Sequence, residues 1–598
     1  MTGTTDFVLK VYDNGDHTGL VWLPPEAQPV PGCRGFTVQR TKNGAIDYLH
    51  GFVGFSDDQK LDPQLPWKFP LQRFMWWDYS VRIGDAVQYS VVPVVGADKD
   101  HLALAPELAS PPSATLTITG QRSPHVSAYF NKGIVAAQWV SRALDAAPAG
   151  SSIKTLAATP GDPLRNELSG ALRPQILSLL SDTQRRGEKI FAALYELNDP
   201  ELIPALTAFG PNCSLILGNG SFSTAHPDEN ADVRQQLRDH SQIALFDRIV
   251  ATGHFAHDKF VVFCDPSGNP LRVLTGSTNW TSSGLCTQAN NAIVIDDPSV
   301  AGDYLSAWHR MKDAGNAYPA ELISGNSTAT TVPIDNGTAT PWFAPTSGAQ
   351  DLDYARRLIN AATEGILFLF FNPGVYESDP AKWTLLQSIL ARQDDTEGNL
   401  NFDASLYVRG VVNQAIAGLT EPLDHASPGA VSPAAADSPG GALSPGVPSP
   451  VTLFRGSDQA PLPKEVLVPH NVKSQFHDWE RELLGAGLVN VHSKVIVLDP
   501  FGETPVVMTG SHNLGLKASS KNDDNLIIVE GNGPLAVAYA INIIAIYDSY
   551  RWNSYVEQHR ADPTVWHGLV DNDAWQSDYL TGDHLAEIEF WLGGRAAA

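Results

Sequence analysis

Two short segments of the chain carry the same chemistry-bearing residue types at the same spacing. The first reads His257-Asp258-Lys259, then the apolar run FVVF, Cys264 and Asp265, and after ten intervening residues Gly276-Ser277-Thr278-Asn279. The second reads His492-Ser493-Lys494, then VIVL and Asp499, and after ten intervening residues Gly510-Ser511-His512-Asn513. Each is followed by a tail ending in an apolar run, QANNAIVI over residues 288–295 and NDDNLIIV over residues 522–529. One H-x-K carries little information. Two, with matched G-S-x-N elements on matched strand–turn–strand patterns, mark an internal duplication.

On a strand, His and Lys two residues apart face the same side, so each copy directs both into one cleft. The asparagine of G-S-x-N adds an amide donor from a neighbouring strand end. Two copies face to face gather two histidines, two lysines and two asparagines. Fixed positive charge and donors of that kind fit a phosphoryl group whose oxygens gain charge in the transition state. Two histidines fit a two-step displacement. One attacks phosphorus; the other protonates the leaving oxygen and then deprotonates the incoming water or alcohol.

This constellation resembles the phospholipase D superfamily, whose signature is H-x-K-x(4)-D with a downstream G-S-x-N. The resemblance spans roughly residues 126–598. It implies two α/β halves sharing one active site, a phosphohistidine intermediate, and neither a required metal nor another cofactor. It also implies His257 as nucleophile and His492 as general acid/base, with Lys259, Lys494, Asn279 and Asn513 holding the phosphate and Ser277, Ser511 and Asn290 lining the substrate site. An acidic residue before the tail orients the opposite copy's histidine in that family. The second copy supplies Asp524 for His257, and the first supplies the amide Asn290 for His492, an asymmetry similar to that of the tyrosyl-DNA phosphodiesterases. The second motif matches the signature fully. The first has Cys264 at the aspartate position and Asp265 one residue late, which predicts a strand-end bulge.

The surrounding residues have plainer readings. His254, in GHFAH, has no counterpart in the second copy and is read as a surface or core histidine rather than a zinc ligand. His512 occupies the variable position of G-S-x-N, opposite Thr278, within reach of substrate. Cys264 and Cys286 are expected to be inert buried thiols. The run Arg73-Phe74-Met75-Trp76-Trp77 is expected at a packed edge or domain interface.

The elements that position the motifs alternate. KIFAALYEL over residues 189–197 reads as a strand, residues 200–209 as a helix and residues 213–217 as a strand. GILFLFF over residues 365–371, residues 383–392 and residues 404–408 repeat the order. The pattern predicts α/β units around a mainly parallel sheet, built twice. Before them, FVLKVYD, TGLVWLP, GFTVQRT and AVQYSVVPVV alternate apolar and polar residues between Gly, Pro and Asp turns, as in a small antiparallel β-sandwich. Residues 87–95 resemble a late strand of a fibronectin type III or immunoglobulin-like domain, with Tyr89 at the corner-tyrosine position. The expected organisation is a β-sandwich over residues 1–122, a first half over 123–330 and a second half over 331–598. Residues 111–124 are expected to form an exit linker. A Pro-rich insertion at about 421–463, densest over 427–450, is expected as an exposed loop.

Composition narrows the function further. The chain has 598 residues, 43% hydrophobic and 18% charged, which excludes a mainly disordered chain. Lys plus Arg is 40 against 65 Asp plus Glu, a net −25, so polyanions are repelled at long range. Four scattered cysteines without a CxxC pair argue against a disulfide framework and a structural zinc site. The apolar run over residues 535–547 is too short to span a bilayer and is expected as a buried core helix, and the N-terminus lacks a signal-peptide pattern. The cytoplasm is therefore the expected compartment. Phospholipid is the favoured phosphodiester, because the acidic chain disfavours nucleic acid. A nuclease acting on DNA or RNA is the alternative, and a non-catalytic phosphate- or lipid-binding relative the third reading. One chain suffices for one active site.

Overall fold

The computed structural model describes residues 7–51, 53–56, 62, 64–133, 151–223, 226–374, 377–379, 382–393, 401–413, 451–455, 465–469, 491–561 and 568–593. Two large mixed sheets dominate it. In the eight-stranded sheet the order is Ala244–Arg248, Cys213–Gly218, Lys189–Leu194, Lys259–Cys264, Pro270–Gly276, Asn291–Ile295, Val126–Phe130 and Gln121–Ser123. The nine-stranded sheet runs Glu465–Pro469, Tyr407–Val412, Gly365–Phe370, Val495–Leu498, Val506–Gly510, Asp524–Glu530, Gly337–Ala344 and Val332–Ile334, with Val451–Arg455 added beyond Glu465–Pro469. Strand for strand, the two orders are the same. The sheet that carries one H-x-K segment therefore repeats the strand order of the sheet that carries the other.

Neither sheet is mainly parallel. Lys189–Leu194, Cys213–Gly218 and Ala244–Arg248 run parallel, as do Gly365–Phe370, Tyr407–Val412 and Glu465–Pro469, and the other pairs are antiparallel. The reason is local. Each lysine strand turns back on itself within a few residues through a polar loop, and so short a connection joins only antiparallel neighbours.

The motif strands are apolar on both sides because both faces are covered. Phe260, Val262 and Cys264 enter one core cluster, whereas Val261 and Phe263 enter another with Leu172, Ile176 and Leu180 of the helix Leu172–Arg185. Val495 and Val497 join the first of these, whereas Ile496 and Leu498 join a third with Leu352 and Ile359. The shared cluster therefore touches one face of each sheet. It also holds Tyr304 and Trp308 of the helix Pro298–Ala314 and Leu535 to Tyr547 of the helix Gly533–Ala561. The expected core helix over residues 535–547 is thus present and buried. Among the described residues, no helix is long and apolar enough to cross a membrane.

The N-terminal strands form two smaller antiparallel sheets. One contains Val8–Asp13, Thr18–Leu23 and Met75–Asp78; the other contains Ala45–Leu49, Cys33–Lys42, Ala86–Gly96 and Leu102–Leu104, with Leu116–Thr117 beside Ala86–Gly96. Tyr89 is buried, and its hydroxyl donates to Asp78 at 2.9 Å. These sheets share the central cluster with the helices Trp575–Tyr579 and Gly582–Trp591. Trp575 Nε1 donates to the Cys33 carbonyl at 3.0 Å, and Phe74 stacks on Trp575 at 5.4 Å. The aromatic run at residues 73–77 is accordingly a packed interface. Residues 111–124 are more than a linker, because Gln121–Ser123 closes the edge of the eight-stranded sheet. The Pro-rich residues 427–450 lie outside the described residues.

Candidate active site

Each histidine enters the centre of the molecule by the same backbone device. Ala256 forms an isolated parallel bridge with Asp523, and Ala289 forms one with Val491. The His257 amide donates to the Asp523 carbonyl at 2.8 Å, and the His492 amide to the Ala289 carbonyl at 3.1 Å. Each ring is thereby stitched next to the tail residue of the opposite copy that meets it.

Asp524 Oδ1 lies 2.8 Å from His257 Nδ1, and Asn290 Oδ1 lies 2.9 Å from His492 Nδ1. A carboxylate only accepts, so His257 donates through Nδ1–H and keeps a lone pair on Nε2. Asn290 donates through Nδ2 to the Gly284 carbonyl and accepts at Oδ1 from Ser277 Oγ, so His492 also donates through Nδ1–H. Both rings are buried, at 6% and 4% exposure. Ser511 Oγ donates to Asp524 Oδ1 at 2.8 Å, as Ser277 does to Asn290 at 2.7 Å. Ser277, Ser511 and Asn290, expected to line the substrate site, are buried and bond into the contacts that hold the imidazoles.

The lysines mirror one another as closely. Lys259 Nζ donates to the His257 carbonyl at 2.6 Å and Lys494 Nζ to the His492 carbonyl at 2.5 Å. Each ammonium faces an aromatic ring, Tyr195 at 4.8 Å and Phe371 at 4.6 Å. The same two rings stand edge-on to His257 and His492, at 4.6 and 4.8 Å.

The electrostatics follow from burial around four basic groups. Burial and then Lys259 push the His257 pKa down to about 4, against the opposing pull of Asp524. Burial and then Lys494 and Lys259 hold His492 well below its ordinary value. Burial brings Lys259 down to about 8 and also lowers Lys494, which Lys259 depresses further. Burial would raise Asp524, but His257 beside it keeps that carboxyl below the usual carboxylate range. At neutral pH both imidazoles are therefore neutral and Asp524 is ionised, which leaves the Nε2 lone pair of His257 available.

A second interlock lies beneath the rings. Asn525 Oδ1 accepts from Thr275 Oγ1 at 2.7 Å and Tyr304 OH at 3.1 Å, and Asn525 Nδ2 donates to Asp258 Oδ1 at 2.7 Å. Asn291 repeats this with Thr509 Oγ1 at 3.0 Å, Tyr539 OH at 3.1 Å and Ser493 Oγ at 3.3 Å. The middle residue of each H-x-K is thus held by the other copy's tail. Arg248 and Asp523 add a buried, two-pronged pair at 2.8 Å.

The asparagines of G-S-x-N break the symmetry. Asn279 Nδ2 donates to Glu196 Oε2 at 2.7 Å, so part of the donor capacity expected for phosphate is already engaged. The Oδ1 atoms of Asn279 and Asn513 are buried with no hydrogen-bond partner among the described residues. His512, expected within reach of substrate, is buried and has protein partners at both ring nitrogens. Its Nε2 lies 3.0 Å from Asp351 Oδ2, and its Nδ1 accepts from the Leu514 amide. His254 stacks on Tyr318 at 4.4 Å and bonds the Lys521 carbonyl through Nδ1. Cys264 and Cys286 are free and buried, and burial pushes both thiols up to about 12.

The slipped aspartate has the expected geometry. Register between Lys259–Cys264 and Pro270–Gly276 shifts between Phe263 and Cys264. Asp265 then closes its own turn, accepting from the Asn269 amide at 2.9 Å and Asn269 Nδ2 at 2.7 Å. Asp499 instead accepts from the amides of Thr363, Glu364 and Gly365 and so anchors the start of the neighbouring strand.

Sequence reasoning missed Tyr195, Phe371, Asn291, Asn525 and Glu196. Opposite-strand register makes Leu194 pair with Lys259 and Leu369 with Val495, so Tyr195 is equivalent to Phe371 and Glu196 to Asn372. Extending the comparison of the two copies upstream of the motifs finds the aromatic pair as a match and Glu196 as a mismatch.

Part of the chain is similar to known proteins. Residues 174–312 match the family model described as "Cardiolipin synthase, PLD-like domain", a span that includes His257, Lys259 and Asn279. No curated protein matches the chain. Among solved structures, phosphatidylserine synthase from Haemophilus influenzae is 13% identical, with 66% of this chain and 92% of that chain covered and a TM-score of 0.39. Nuc from Salmonella typhimurium, a phospholipase D family member, is 22% identical, with 25% and 93% covered and a TM-score of 0.20. Polyphosphate kinase from Porphyromonas gingivalis is 12% identical over 64% of this chain, at a TM-score of 0.35, and the chain spans about half, 51%, of that protein's length. What these comparisons show is a similarity of residues 174–312 to a phospholipase D-like domain.

Proposed function

We propose that this chain is a phosphodiesterase of the phospholipase D type, hydrolysing or transferring phosphodiesters through a phosphohistidine on His257, with phospholipid as the favoured substrate. The observation that carries the reading is the reciprocal anchoring of the two imidazoles. Each is fixed through Nδ1 by the opposite copy, one by the carboxylate of Asp524 and one by the amide of Asn290.

The two repeats are read as the halves of one enzyme, over residues 123–330 and 331–598, preceded by a fibronectin III-like β-sandwich over residues 1–122. His257 Nε2 attacks phosphorus, and the bond from phosphorus to the leaving oxygen breaks. That oxygen takes a proton from Nε2 of His492, whose imidazolium is held by the bound substrate anion. Asn290 is neutral and gives that cation no counter-charge, so His492 releases its proton readily. His492 then takes a proton from water or an alcohol, whose oxygen attacks phosphorus and breaks the bond to His257. Lys259 and Lys494 carry the positive charge that the phosphoryl oxygens meet, and the proposed chemistry needs no metal.

Tyr195, Phe255 and Phe222 follow one another from His257, with ring centres 6.2 and 5.8 Å apart. They offer apolar contact to the uncharged portion of a lipid. A nuclease is the second reading, favoured by the Lys517 ammonium 4.5 Å from the Phe255 ring, an arrangement that also suits a stacked base beside a phosphate. Hydrolysis of bis-p-nitrophenyl phosphate in EDTA tests the reaction class. Turnover by wild type and its loss in His257→Ala and His492→Ala support it; an active His257→Ala removes His257 as nucleophile. Headgroup release from phosphatidylcholine vesicles against cleavage of single-stranded DNA then separates the substrates.

A further inference from the structure

The carboxylate of Glu196 has no counterpart in the second copy. Its Oε2 accepts from Asn279 Nδ2 at 2.7 Å and its Oε1 from Ser221 Oγ at 2.8 Å, and the Trp280 amide donates to its backbone carbonyl. Burial and then Glu229 raise its carboxyl above the usual range, and Lys259 and Lys494 pull against that rise, which places it in the field of the same two ammonium groups that are read as the phosphate site. Glu229 also faces it and accepts from the Ser221 amide at 2.7 Å. Tyr195 stands beside it, with its hydroxyl 3.1 Å from Ser221 Oγ. At the equivalent place in the second copy is Asn372, an exposed amide that accepts from the Gly374 amide.

A carboxylate is a costly neighbour for a phosphate. Where Glu196 is ionised, it and Asp524 set two negative charges against those of Lys259 and Lys494. The cleft then tolerates one added negative charge far better than two.

We propose that Glu196 is a positioning and charge-selecting residue: it holds the Asn279 amide and disfavours doubly charged phosphate groups, so that the cleft accepts phosphodiester monoanions and rejects phosphomonoesters and inorganic phosphate. The inference rests on the phosphodiesterase reading and deepens it. It gives that chemistry a reason for the asymmetry between Glu196 and Asn372. A diester has one ionisable oxygen, whereas a monoester or free phosphate carries close to two charges above neutral pH. Discrimination by charge count also keeps a phosphate product from occupying the site.

The test is calorimetric titration of the full-length protein with inorganic phosphate at about pH 8, where the dianion prevails. It is run beside diester kinetics on wild type, Glu196→Gln and Glu196→Asp. Gln keeps the shape and the acceptor for Asn279 but removes the charge, and Asp keeps the charge. Glu196→Gln is expected to bind phosphate about tenfold more tightly than wild type, while Glu196→Asp, which keeps the charge, binds it no more tightly than wild type. Equal phosphate affinity in wild type and Glu196→Gln overturns the proposal, as does the absence of phosphate binding by both. A wild type that turns over no diester while Glu196→Gln gains phosphate affinity instead counts against the phosphodiesterase reading, and leaves charge selection standing.

Discussion

Asp524 and His257 are 267 residues apart in sequence and 2.8 Å apart in space, the carboxylate of one copy gripping Nδ1 of the other copy's imidazole. The reciprocal contact, Asn290 to His492 at 2.9 Å, has the same geometry but no charge. This difference fixes both ring tautomers while giving only one ring an anionic partner, the condition under which two like residues take unlike parts.

Exchanging the partners should therefore exchange chemistry without moving atoms. Asp524→Asn is expected to lower diester turnover by about 10²–10⁴-fold, because the cation forming on His257 loses its counter-charge. Asn290→Asp is expected to raise the pKa of His492 and shift the limb of the pH–rate profile that reports the general acid toward higher pH. Rapid acid-free quenching followed by mass spectrometry should find the phosphoryl group on the peptide containing His257. Its appearance on His492 instead would reverse the assignment.

The same histidine sets an acid limit on stability. Its folded pKa, about 4, lies below the ordinary 6.5, so the unfolded chain binds the extra proton between these values. The stabilising contribution is complete above about 6.5 and is lost as pH falls toward and below 4. Buried His17, pushed down to about 3 by burial and then Lys132, acts in the same direction. Thermal unfolding followed from pH 7 to pH 4 should show a falling Tm, and His17→Phe should flatten that fall.

Asp258 works with the opposite sign. Burial, together with Asp523 and Asp524 nearby, raises its carboxyl to about 8 despite the hydrogen bond from Asn525, so the folded protein keeps a proton that the unfolded chain has released. Its cost therefore grows as pH rises from about 4 toward 8. Asp258→Asn keeps the acceptor for Asn525 and removes the titration. It should leave Tm near wild type at pH 5 and stabilise by about 1–3 kcal/mol at pH 8. A gain that does not grow with pH would show Asp258 to be ionised in the folded protein.

The interlock beneath the rings has a mechanical consequence. Asn525→Ala strands Thr275, Tyr304 and Asp258 together and should cost about 2–4 kcal/mol. Asn291→Ala should cost a similar amount, and the double substitution less than the sum, since both pivots join the same pair of sheets. Denaturant unfolding of the three variants measures this coupling.

The two motif aspartates should separate just as clearly. Asp499→Ala removes the acceptor for the amides of Thr363, Glu364 and Gly365 and should cost about 2–3 kcal/mol. Asp265→Ala opens only an exposed turn and should leave Tm and turnover nearly unchanged. Equal losses would mean that the slipped aspartate had kept its partner's role.

The sequence alone determined which residue types the two segments share, because H-x-K and G-S-x-N occur twice at equal spacing and each spacing is a strand followed by a tight return. It also determined the buried helix at residues 535–547, an apolar run without charges, and the bulge at Cys264, a one-residue slip against its own repeat. It misjudged the sheets as mainly parallel because αβ alternation leaves strand direction unspecified once a polar turn is short enough to reverse the chain. Only the tertiary structure decided that Ser277, Ser511 and Asn290 bond into the contacts that hold the imidazoles, that His512 pairs with Asp351, and that Glu196 holds Asn279. Those contacts join residues tens to hundreds of positions apart. Residue type and local period say what a side chain is able to do, but the partner that uses up its hydrogen bonds is chosen only when the two sheets close on a common core.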